Sequence, residues 1–266
     1  MENINALLKL NLHELSSEQI EVINKMLKEK LLIEYNKKDR SGIYGYTQRS
    51  FAYNSNRIEG STLTERQTAS LFETGTIMPD GDEIFRSKDI EEMNGHFAMF
   101  NHILDTLEEP LSEALAKEYH YLLKIGVFED RANGYPVGEY KIFFNMVSDI
   151  DTARPDEVSD RMKVLIAEYE NMEAVGLLEI AGFHAEFGKI HPFQNGNGRT
   201  GRGILFKECL RRGVLPFIIS DTNKPEYYQM LNLAQNKHEY EGLVAYLEKE
   251  QQSYFAVLQK FLYRYD

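Results

Sequence analysis

Cysteine is almost missing from this chain of 266 residues; Cys209 is the only one. A lone thiol forms no intrachain disulfide and no cysteine-rich zinc site, and such sparing use fits a reducing compartment. Basic residues are in deficit. Thirty Lys and Arg face forty-two Asp and Glu, a formal net charge of −12. A chain this acidic does not bind nucleic acid through bulk attraction to phosphates, so any polyanion it holds needs a local basic pocket. Long apolar runs are lacking as well. The longest, such as 214–220, fall far short of the ~20 residues that span a bilayer. The opening MENINALLKLNLHEL has neither a basic leader nor a long apolar stretch. These absences predict a cytoplasmic protein with no membrane and no nucleic-acid partner. There is no Gly-, Ser- or Pro-rich linker, no repeat and no low-complexity tract, which predicts one structural unit.

Helical periodicity is what the chain has in abundance. Ile20, Ile23, Leu27 and Leu31 follow a Ser16-x-x-Gln19 capping box. Ile90, Met93, Phe97, Phe100, Leu104 and Leu107 repeat the spacing, as do Val158, Met162, Leu165 and Tyr169 after Pro155, a favoured first helical residue. Leu243, Leu247, Tyr254, Leu258 and Phe261 mark a long amphipathic helix near the end. Each stripe reads as core-facing. Only residues 134–153 read as extended, with Tyr140, Ile142, Phe143, Phe144, Met146 and Val147 between turn formers. They predict a short hairpin or an irregular flap.

The informative segment is 189–202, K-I-H-P-F-Q-N-G-N-G-R-T-G-R. A glycine-rich turn opening a helix presents unpaired backbone N–H groups and the positive end of the helix dipole, an anion site. Arg199 and Arg202 add guanidinium forks suited to phosphate oxygens. His191, on the other side of the turn, is placed to exchange protons near neutral pH. A phosphate cradle beside a histidine suggests phosphoryl or nucleotidyl transfer. No Gly-x4-Gly-Lys-Ser/Thr occurs, and no strand pattern precedes the turn, so neither a P-loop nor a dinucleotide fold accounts for it. Within residues 189–212, Lys189, Arg199, Arg202, Lys207, Arg211 and Arg212 stand against Glu208 alone. That local excess of positive charge can focus a small polyanion into one cleft.

The segment from His191 to Arg202 resembles the signature of Fic-domain proteins, H-x-F-x-(D/E)-G-N-G-R-x-x-R, at every defined position but one. The likeness runs from about Phe51 to about Leu247. It takes in Ser55-Asn56-Arg57-Ile58-Glu59-Gly60 upstream and Tyr227-Tyr228 with Ala234-Gln235 downstream. It implies an all-α fold, a helical bundle with a short β-hairpin flap. The division it implies is an N-terminal helical extension over residues 1–45, an inhibitory helix over 46–62, a core over 63–250, and the end of the last helix over 251–266. Most Fic domains move AMP from ATP to a hydroxyl of a protein.

By that resemblance His191 is the general base, and its activity is expected to fall as pH drops through a pKa of ~6.5 if unperturbed. Gly196, Asn197 and Gly198 form the anion hole, through backbone N–H groups and the Asn197 amide. Arg199 and Arg202 hold the β/γ end of ATP. Tyr228 flanks the adenine, Gln235 reads the base edge where relatives usually carry Asn, and the flap around Tyr140–Asp151 docks the target protein by strand addition. Glu59, one helical turn after Ser55, pairs with Arg202 and holds ATP in an unproductive pose. Asn195 is the departure, standing where the family has the Asp or Glu that holds Mg²⁺. An amide oxygen is a weaker ligand for a hard cation than a carboxylate. Mg²⁺ is therefore expected mainly through ATP and water. Two alternatives stay open, a nucleotide-binding regulatory module weakened by Asn195 and a hydrolase that removes AMP. A homo-oligomer is an expectation by analogy alone. His184, His96, His102 and Cys209 are read as packed residues, the first as a neighbour supporting the site and the next two without evident partners.

Overall fold

The computed structural model describes residues 4–79, 85–146 and 150–263. They include the helices α1 (Ile4–Leu7), α2 (Ser17–Asn36), α3 (Ile43–Ile58), α4 (Glu65–Thr74), α5 (Ser87–Asp105) and α6 (Glu113–Lys124). After these come α7 (Phe128–Ala132), α8 (Val158–Glu170), α9 (Leu177–Ile190), α10 (Asn197–Arg211), α11 (Lys224–Lys237) and α12 (Glu241–Leu262). None of them is long and apolar enough to cross a membrane.

Local chemistry sets the ends that matter. The Ser16–Gln19 box closes in both directions, at 3.3 and 3.0 Å, so α2 starts where the sequence places it. Helix α3 has no side-chain cap of its own. Glu34 of α2 supplies one, accepting the Tyr44 N–H at 2.8 Å and setting a carboxylate on the positive end of the helix. At its other end α3 stops at Ile58, and Gly60 follows at φ 91°, a left-handed turn that glycine makes without strain. Helix α8 begins three residues later than Pro155 predicts. Residues 155–157 form a turn, held by the Glu157 N–H on the Arg154 carbonyl at 2.9 Å and the Arg154 N–H on the Glu157 carboxylate at 3.1 Å.

Two apolar clusters meet along α10. Ile204, Leu205 and Cys209 belong to the cluster with α6, α8, α9 and α11, while Phe206 and Leu210 belong to the cluster with α2, α3, α5 and α12. Gly201 and Gly203 permit this central position. A Cβ at Gly201 would press on Phe187 and His184 of α9, and one at Gly203 on Ile103 and Met99 of α5. Two glycines of the motif are therefore packing residues. Their cost in helix propensity, ~1 kcal/mol each, is offset by close helix contact.

Among the described residues the expected hairpin is not formed. Among the described residues of 134–153 the only β-structure is an isolated bridge at Ile150, and 147–149 lie outside the described residues. The segment spends its backbone groups on the motif loop instead of on itself. Lys141 N–H donates to the Pro192 carbonyl at 2.9 Å, Ala153 N–H to the Ile190 carbonyl at 3.3 Å, and Phe143 N–H to Gln194 Oε1 at 3.0 Å. The result is an irregular strap beside α9, with Ile142, Phe143, Phe144 and Met146 each more than half exposed.

Candidate active site

His191 ends α9 in a left-handed conformation, φ 53° and ψ 61°, which costs a non-glycine residue ~1 kcal/mol. The loop after it is held from within. Phe193 N–H donates to Asn197 Oδ1 at 2.8 Å, and Asn197 Nδ2 donates back to the Phe193 carbonyl at 2.7 Å. The Phe193 ring stacks on His120 at 3.9 Å. His120 Nδ1 accepts the Gly138 N–H at 3.0 Å, so its proton is on Nε2, which donates to the Asn195 carbonyl at 3.0 Å. Gly196, at φ 78°, turns the chain into α10. The first N–H groups of α10, those of Asn197, Gly198 and Arg199, have no partner within the helix.

A cavity of about 500 Å³ opens above this turn, bordered by Glu59, His191, Gly198, Arg202, Tyr228 and Gln235, with Ile150 from the strap. Arg202 is 3% exposed. It donates to Ser55 Oγ at 2.9 Å, to the Ser55 carbonyl at 2.9 Å, and to Glu59 Oε1 at 2.8 Å. Its hold on Ser55 is buried, while the Glu59 side chain keeps 29% exposure and faces the cavity. The Glu59 carboxylate lies over Gly198, so close that a Cβ there would overlap it. Tyr228 is 40% exposed, with the Lys224 ammonium 5.6 Å from its ring centre. Gln235 donates to the Ala185 carbonyl at 3.2 Å and presses on Gly188, whose missing side chain makes room for it.

Burial acts on the charges of this site in both directions. It pushes the His191 imidazole down to about 4, helped by the nearby Lys141 ammonium, so the ring is neutral at pH 7. For Glu59 burial alone would raise the pKa, but Arg202 and Arg199 outweigh it and hold the carboxyl below its ordinary value. Lys141 is itself buried and pushed down to about 8, by burial and then by Arg161. Its ammonium joins Asn145 Oδ1 at 2.7 Å to Thr152 Oγ1 at 3.1 Å, tying the two limbs of the strap together beside His191.

Arg199 and Asn195 face away from this cavity. Arg199 donates to Glu92 Oε1 at 2.9 Å and to Asn56 Oδ1 at 3.1 Å. Glu92 also takes the Lys124 ammonium at 2.7 Å, and Lys124 lies 2.6 Å from Asp130. Burial would raise Glu92, but Arg199 and Lys124 bring it down to about 2. Asn195 Nδ2 donates to Asp130 Oδ1 at 3.3 Å, and Asn195 Oδ1 accepts the Gly196 N–H at 2.8 Å. The single oxygen of Asn195 is thus already engaged. No group of three or more His, Cys, Asp and Glu among the described residues is arranged to hold a metal. The donor set does not fit a Mg²⁺ ion bound by this chain.

The predicted residues therefore separate. His191, Asn197, Gly198, Arg202, Tyr228, Gln235 and Glu59 border one cavity, with Ser55 beneath Arg202. The Asn197 amide, expected to reach phosphate, closes the loop on Phe193, and Arg199 is enclosed behind it. His184 is packed as expected, its Nε2 2.7 Å from the Tyr227 hydroxyl. His102, read as partnerless, pairs with Glu118 at 2.9 Å. Cys209 is buried, which raises its thiol well above the usual range. Glu92, Lys124, Asp130, His120 and Lys141 were missed. Their available signal was a charged or titratable residue interrupting an apolar stripe, as His120 and Lys124 do beside Tyr119 and Leu123.

Residues 110–207 match the sequence profile of the Fic/DOC family. Over these residues the chain resembles a Fic domain. The chain is 28% identical over 187 residues to the protein adenylyltransferase Fic of Nematostella vectensis, covering 68% of this chain and 42% of that protein. It is 27% identical over 212 residues to the protein adenylyltransferase fic-1 of Caenorhabditis briggsae, covering 76% and 39%. The chain thus spans about two fifths of the length of these curated relatives. A Fic domain containing signaling protein of Bacteroides thetaiotaomicron superposes with a TM-score of 0.73 at 25% identity, over 92% of this chain and 96% of that one. Residues 134–508 of Caenorhabditis elegans Fic-1 share the fold, with a TM-score of 0.67 at 22% identity over 91% and 72%.

Proposed function

We propose that this chain transfers AMP from ATP to a hydroxyl of a protein and is held back by its own Glu59. The observation that carries the reading is the union in one cavity of a neutral histidine, a helix N-terminus and an arginine paired to a displaceable carboxylate. His191 takes the proton of a Ser, Thr or Tyr hydroxyl. The freed oxygen bonds to the α-phosphorus as the bond to the β-phosphate oxygen breaks, and pyrophosphate leaves. The N–H groups at the start of α10 and the Arg202 guanidinium meet the phosphate charge. Asn197 keeps the loop closed, and Arg199 adds a fixed positive potential behind it. Tyr228 and Gln235 border the part of the cavity left for adenine, and the exposed apolar residues of the strap offer a docking edge for the target. The chain itself is one candidate target. Glu59 occupies the phosphate end of the cavity, repels a triphosphate and competes for Arg202.

Incubation with ATP labelled at the α-phosphate tests this. Label is expected on protein, increased several-fold or more in Glu59→Gly and abolished in His191→Ala. Absence of label in wild type and Glu59→Gly alike, with ATP bound in both, would refute transfer. That outcome would favour the nucleotide-binding module, for which the engaged oxygen of Asn195 is the supporting observation. Release of AMP from a modified target, lost in Glu59→Ala, would favour the hydrolase.

A further inference from the structure

We infer that Asn195 is the latch of a charge-balanced buried cluster rather than a metal ligand, and that Asp130 is the residue that requires an amide at that position. Glu92, Lys124, Asp130 and Arg199 are all buried, two anions against two cations. Lys124 lies between Glu92 at 2.7 Å and Asp130 at 2.6 Å, and Arg199 closes on both oxygens of Glu92 at 2.9 and 2.5 Å. The cluster joins α5, α6, α7 and α10, and its formal charge is zero. Such a set survives burial because each charge faces an opposite one.

Asn195 attaches the motif loop to this cluster by donating to Asp130 at 3.3 Å, while its oxygen receives Gly196 at 2.8 Å. A carboxylate at 195 keeps the second bond and reverses the first. Two carboxylate oxygens would face each other with no proton between them, and the buried set would become net negative. Substituting Asp, the residue the family signature has there, is thus incompatible with Asp130 as it stands. Neutralising Asp130 restores compatibility, because an amide at 130 can donate to a carboxylate at 195 and the set again holds two anions against two cations. One consequence rests on the nucleotide reading above. The phosphates are met by α10 and Arg202, and ATP binding gains nothing from a metal on residue 195.

A melting cycle with Asn195→Asp, Asp130→Asn and the double variant tests the inference, with ATP binding followed by calorimetry in Mg²⁺ and in EDTA. Each single variant is expected to melt roughly 10 °C below wild type, since each leaves an unbalanced buried charge. The double variant is expected to melt above both. A double variant that melts below both singles, or is no more soluble than an Asn195→Asp protein that fails to fold, overturns the inference. An Asn195→Asp protein as stable as wild type overturns it too. For ATP, affinity is expected to agree within about threefold between Mg²⁺ and EDTA in wild type and Asn195→Ala. A Mg²⁺ preference in wild type that Asn195→Ala abolishes would put the metal on residue 195 and overturn the inference. Failure of every variant to bind ATP would sink the nucleotide reading, while the melting cycle still decides the role of Asp130.

Discussion

The two arginines of the motif stand one turn apart on α10 and live in different electrostatic worlds. Arg199 faces a buried cluster, bound to Asn56 and to Glu92, whose side chain is 7% exposed. Arg202 is equally buried at its base, held by Ser55, but the carboxylate it meets at its tip borders a cavity and keeps 29% exposure. The same residue type, three positions apart, thus serves once as a fixed part of the frame and once as a group whose partner can be exchanged. What separates them is access. An ion pair closed off from water has no competitor, whereas one at a cavity wall competes with any anion that enters.

That contrast can be broken from the frame side first. Gly95 of α5 carries no side chain, and a Cβ there would overlap the Leu123 carbonyl of α6. Gly95→Ala forces apart the helices that bring Glu92 to Lys124, and a loss of more than ~3 kcal/mol is expected in urea denaturation. Glu92→Ala is expected to cost ~3 kcal/mol and to bring no gain in AMP transfer, because it strips Arg199 of its partner without opening the cavity. On the exchangeable side, Glu59→Ala is expected to change stability by about 1 kcal/mol or less while transfer rises several-fold. Equal destabilisation by Glu59→Ala and Glu92→Ala would erase the distinction. Gly198→Ala sharpens it further. Its Cβ meets the carboxylate of Glu59 and, at 3.0 Å, the tip of Arg202, the far ends of two flexible side chains, so its melting temperature is expected to stay within a few degrees of wild type.

Acid gives the most graded effect. His96, His120 and His184 are pushed down to about 3, mainly by burial. The unfolded chain binds their protons near pH 6.5 and the folded one does not. Their contribution is complete above ~6.5 and is lost as pH falls from there toward 3, so the melting temperature is expected to drop between pH 7 and pH 4. His191, at about 4, is expected to keep transfer active below pH 6, where an exposed histidine would already be protonated. A transfer profile with its acid limb at 6.5 would show that His191 is not shielded as its surroundings imply.

The helices were legible because periodicity reports one-sided burial, and α2, α5, α8 and α12 lie where the apolar stripes ran. The turn into α10 was legible because its parts are contiguous, a histidine, a glycine turn and arginines within twelve residues. Glu59 was legible only through a resemblance, since a helix-terminal Glu is ordinarily a surface charge. Of the two expectations for 134–153 the irregular flap fits the described residues better than the hairpin, because an apolar and aromatic run between turn formers makes a strand only if another strand pairs with it. The backbone around Lys141 and Phe143 found Pro192 and Gln194 instead.

The sequence by itself determined a helical protein, a glycine-rich turn opening a helix and the histidine beside it, because each of these depends on neighbours in the chain. Tertiary structure alone decided that Arg199 and Arg202 part company. It also decided that Asn195 answers to Asp130. Those outcomes depend on which charges of α3, α5, α6 and α7 are carried to α10 and then cut off from water. Coulomb energy is set by distance and solvent access, and neither is written in the order of residues.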